Sequence, residues 1–85
     1  MTAAMEALYG YAEDHMLCGL LAQEPEYGEA LRCAEKLEVQ FREPLDGEGR
    51  ERLEALMDER NHLAFYRERA WFRAGFRLAA ELMLT

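Results

Sequence analysis

Apolar residues recur at helical spacing along almost the whole chain, and two prolines cut that pattern into three stretches. The longest runs from Asp46 to Leu84 with no proline, and it carries Leu53, Met57, Ala64, Trp71, Phe72 and Phe76 among its apolar positions. The spacing predicts one long helix over 47–84. Ahead of it, Tyr27, Leu31, Ala34, Leu37 and Phe41 predict a helix over 26–42, with Pro25 placed in its opening turn. Glu43 precedes Pro44, and that position is expected to leave the helical region and end the element. Met5, Leu8, Ala12, Met16 and Leu20 predict a first helix over 2–22, weakened by glycines at 10 and 19 that each cost about 1 kcal/mol relative to alanine.

Pro44-Leu45-Asp46-Gly47 is the clearest turn. Asp46 has the side chain of an N-cap, able to accept from amides two and three residues on, and Leu45 stands where it can staple onto the first turns. Helix, short turn, helix predicts an antiparallel hairpin. At 1.5 Å per residue the second helix spans about 27 Å and the long one about 55 Å. The second helix should therefore cover the long one only as far as about Ala64. Either the first helix or another chain has to cover the aromatic half beyond. The expectation is a single all-α domain over 1–85, three helices in all, associating as a homodimeric bundle.

Composition supports helix: Val39 is the only valine, isoleucine is absent, and Thr2 and Thr85 are the only threonines. A chain of 85 residues builds a marginal core unless packing is very regular or a second chain joins. Net charge is −7, which argues against nucleic acid as a partner. The charge is uneven: residues 1–49 carry 3 basic and 11 acidic side chains, residues 50–85 carry 7 and 6. Such asymmetry suits halves that face each other or a like-built neighbour. Cys18 and Cys33 are too few for a disulfide framework and are expected to be small buried thiols. No apolar run reaches about 18 residues, and the N-terminal stretch lacks the form of a secretory signal, so a cytoplasmic protein is expected.

Four groups of residues invite a chemical reading. Gly75 lies between Phe72 and Phe76 with Ala79 one turn on. Small residues four apart let a second backbone approach, so Phe65, Trp71, Phe72, Gly75, Phe76, Ala79 and Leu82 form the expected interface. The competing view is that Gly75 makes room for a bulky neighbour within one chain. Arg69, Arg73 and Arg77 recur every four residues and suit docking to an anionic partner, though pairing within the chain, such as Glu13 with Arg73, explains them more simply. Aromatics interleaved with arginine also suit a helix in a membrane interface, but the acidic remainder would be repelled by anionic lipid, so no membrane partner is expected.

The third group is Glu59-x-x-His62, which places two metal-ligand side chains on one helical face; a dimer would double it, with Glu35 or Glu38 as the lone carboxylate. In so acidic a chain that spacing arises readily by chance, and a solvated histidine is the commoner case. The fourth, Glu35-x-x-Glu38 with Glu51-x-x-Glu54, weakly resembles the paired acidic motifs of all-α nucleotide pyrophosphatases. Those end in Asp where this chain has Glu54, and the basic and Asn partners are missing. No phosphate loop, nucleophile elbow or Cys-x-x-Cys occurs. No cofactor is expected.

From about Tyr27 to Leu82 the chain resembles a group of short helical proteins of anaerobic, gut-dwelling Firmicutes, classed as a domain of unknown function. The resemblance rests on the hairpin and on Phe72-x-x-Gly75-Phe76-x-Leu78-Ala79-x-x-Leu82; a glycine commonly stands there in place of Ala79. It implies an all-α fold and no biochemical activity. The residues and the resemblance together point to a small non-catalytic interaction or assembly module, with a metal-binding bundle or metal-dependent enzyme built on Glu59 and His62 as the alternative.

Overall fold

Thr2 starts the first helix, its hydroxyl accepting from the Met5 amide at 3.2 Å. In a computed structural model of residues 1–85 that helix, α1 (Ala3–His15), stops at Met16 and is followed by the short α2 (Leu17–Ala22). The expected single helix over 2–22 is therefore two, and the chain has four helices. Met16, at φ −120° and ψ −34°, ends the first ladder by donating to Ala12 at 2.9 Å and begins the second by accepting from Leu20 at 3.0 Å. The break re-aims the last turn and a half toward the third helix.

Pro25 opens α3 (Pro25–Arg42) after an extended Glu24. A proline at the first helical position loses nothing, because its missing amide would have no helical acceptor there. The expectation for Glu43 is not met: it keeps helical angles, φ −55° and ψ −46°. The helix still ends at Arg42, because Pro44 has no amide to offer the Gln40 carbonyl.

Asp46 then caps α4 (Gly47–Leu84), its Oδ1 accepting from the Gly49 amide at 2.7 Å. A Cβ on Gly49 would lie 3.1 Å from that oxygen and 3.3 Å from two carbons of Leu45. Glycine lets the cap and the apolar staple close on the same spot. Arg50 donates to the Glu43 carbonyl at 3.3 Å, and Arg42 bonds Glu38 at 2.9 Å, pairs with Glu54, and reaches the Met57 sulfur at 3.6 Å. These contacts lock the turn between α3 and α4.

Beyond the turn the hairpin splays. No backbone in α3 comes within 8 Å of α4 at long sequence separation; every such approach is made by α1 on α4. The expected cover of α4 up to Ala64 therefore fails: Leu53 and Met57 are half-buried, while Leu56 and Leu63 are exposed. Leu31, Leu37, Val39 and Phe41 of α3 are exposed as well.

No residue of the chain is buried. Its surface is 7647 Å², against about 5,200 Å² for a compact monomer of this mass. Its radius of gyration is 17.4 Å, against about 12 Å for a compact chain of this length. The 57 Å long axis is set by α4 itself. Cys18 and Cys33 are exposed and free, contrary to expectation, because no element of the chain packs over their faces.

Candidate interaction surface

α1 docks where α3 does not reach. Tyr9 meets Phe72 edge-to-face with ring centroids 5.3 Å apart, and Glu6 pairs with Arg69. The Arg69 guanidinium lies 5.1 Å from the Tyr9 ring centre and 4.8 Å from that of Phe65. The Tyr9 pKa is raised above the usual 10.0, first by loss of solvent and then by the charges of Glu13 and Glu68. This knot is what holds the N-terminal part of the chain on α4.

The half-buried stripe of α1 is Met5, Tyr9 and Ala12, not Met5, Leu8 and Ala12. Both sets satisfy 3-4 spacing, so spacing alone cannot choose between them. The partners Glu6, Tyr9 and Glu68 had no separate signal in the sequence. The Glu13–Arg73 pair does not form; Glu13 instead acts on Tyr9. Of the three spaced arginines only Arg69 has a carboxylate partner, and it is the least accessible, with its side chain 18 % exposed.

The seven expected interface residues fall on two adjoining sides of α4. At 100° per residue, Phe65, Phe72 and Phe76 share the side that α1 meets, while Trp71 and Leu82 lie roughly 100° round the helix. Phe72 is half-buried and Phe76 is 48 % exposed. Trp71 is 74 % exposed and Leu82 76 %. Gly75 and Ala79 lie between the two sides. A Cβ on Gly75 would meet nothing within 4 Å, so no neighbour within the chain uses the room it leaves. Shallow depressions flank Trp71: one of about 410 Å³ between Arg60, Leu63, Ala64, Arg67 and Glu68, another of about 260 Å³ against Ala70 and Ala74.

The metal candidates come together only in part. His62 Nδ1 lies 4.0 Å from the Glu59 carboxylate, both exposed. Glu38 is held by Arg42, and no three of the chain's His, Cys, Asp and Glu side chains gather closely enough to hold a metal ion. No helix is long and apolar enough to cross a membrane.

A family model of unknown function matches the chain over residues 1–85, its whole length. The chain belongs to that family, DUF6809. The match takes in α1 and α2 as well as α3 and α4. No curated protein and no solved structure matches it.

Proposed function

We propose that this chain is a small non-catalytic assembly module that completes its core by pairing with a second copy through the aromatic half of α4. The observation that carries this reading is the missing core: no residue is buried, and the surface exceeds that of a compact monomer by about 2,400 Å². Ordering a backbone costs about 1–2 kcal/mol per residue, and exposed helices offset little of it. An excess of that size per chain lies in the range that permanently paired subunits bury.

Sedimentation equilibrium tests the reading directly. The expected mass is twice 9.9 kDa, with a urea midpoint that rises with chain concentration. A chain that stays folded at 9.9 kDa up to high micromolar concentration overturns it. Gly75→Leu sharpens the test, because the new side chain meets nothing in its own chain and should weaken only the pairing.

A metal-binding bundle is the second reading, resting on the Glu59–His62 approach. It requires both copies to build one site. Elemental analysis of protein purified without chelator should find iron, manganese and zinc below one atom per dimer; one firmly held metal per dimer would favour this reading instead.

A further inference from the structure

Leu53 and Met57, the half-buried positions near the base of α4, begin a stripe that continues at unbroken 4-3 spacing through Arg60, Ala64, Arg67, Trp71, Ala74, Leu78 and Glu81. This is the seam pattern of paired helices. Past Met57 nothing in the chain covers it, and its charged members Arg60, Arg67 and Glu81 have no ion-pair partner within the chain. Arg67 and Glu81 are the pair that matters. They stand seven residues either side of Ala74, about 10.5 Å each way. A second α4 laid antiparallel about Ala74 brings each copy's Arg67 to the partner's Glu81. Laid parallel, it would set Arg60, Arg67 and Glu81 each against its own copy, like charge on like.

Resting on the pairing proposed above, we infer that the partner is a second copy docked antiparallel on this stripe, with the two-fold axis passing beside Ala74. Each helix carries the same patch, so the contact is self-complementary and closes at two chains. Ala70, Ala74 and Gly75 let the backbones approach. Trp71 packs against the partner's Ala74 and Leu78. The depressions on either side of Trp71 receive the partner's Leu78 and Leu82, which face them at that register. Two Arg67–Glu81 pairs flank the apolar centre and set direction more than affinity.

Two experiments on the full chain test the arrangement. In a Cys18→Ser, Cys33→Ser background, oxidation should link Ala74→Cys into a covalent dimer on a non-reducing gel. Arg60→Cys should stay unlinked, since antiparallel docking holds the two copies of that position about 42 Å apart. Linking at 60, or a dimer that links at neither position, overturns the antiparallel register and leaves the assembly reading intact. A monomeric wild type overturns both. Independently, Arg67→Glu should raise the dimer dissociation constant about tenfold. Adding Glu81→Arg should bring it back to within about threefold of wild type, while Lys36→Glu, with the same change in net charge, should leave it unmoved. An equal loss in Arg67→Glu and the double variant contradicts the proposed pair.

Discussion

The base of the hairpin and the far end of α4 are built from the same residue types yet reach opposite outcomes. Around the turn, Arg42 has Glu38, Glu54 and the Met57 sulfur, Asp46 has the Gly49 amide, and Leu45 rests over Gly49. At the far end only the Tyr9–Arg69–Phe72 knot is closed; Trp71 and Leu82 to Leu84 are bare, and Arg73 and Arg77 have no carboxylate. The difference is one of sequence distance. Partners within about 15 residues satisfy one another as soon as the turn forms. Apolar side chains some 20 Å further along a rigid helix lie beyond the reach of α3, and only α1 or another molecule can cover them.

The largest effect should follow from Trp71→Glu, which places a charge at the centre of the bare face. The expected rise in the dimer dissociation constant is about 30-fold or more, as for a central aromatic anchor, read by sedimentation. The helix itself should persist in circular dichroism, since Trp71 touches little within its own chain. At the base, Asp46→Ala should cost about 1 kcal/mol through loss of the N-cap, measured by urea unfolding at a fixed chain concentration.

A smaller contrast separates two glycines. Gly19→Ala should stabilise the chain by about 0.5–1 kcal/mol, because its Cβ would meet nothing within 4 Å. Gly49→Ala should gain less or lose, because its Cβ would crowd Asp46 and Leu45. Thermal melts of the two variants at equal concentration compare them directly.

The smallest effect concerns Tyr9. Its raised pKa means the folded chain favours the protonated phenol, so stability is unaffected well below pH 10 and falls as pH rises from about 10 through the folded-state value. Tyr9→Phe should remove that alkaline loss while keeping the ring contacts with Phe72 and Arg69. Stability followed by circular dichroism should be similar for the two chains near neutral pH and part above pH 10, with wild type falling below the variant.

Helix type, two of the three boundaries between elements, the Asp46 cap and the turn at Pro44 were legible in the residues. They depend on periodicity, on proline's missing amide and on side chains that bond their own backbone, all of which act over a few residues. The break at Met16 was not legible, because no proline or glycine stands there; the need to lay α1 on α4 while α2 meets α3 sets it. Nor could spacing show that Tyr9 rather than Leu8 faces α4, that Arg69 rather than Arg73 is paired, or that α3 leaves α4 beyond the turn. Those outcomes depend on which helix faces meet across the molecule, and many register choices satisfy the same apolar pattern. Local chemistry wrote the rods and the joint; how far the rods lie apart, and hence how much apolar surface is left to cover, was decided only in three dimensions.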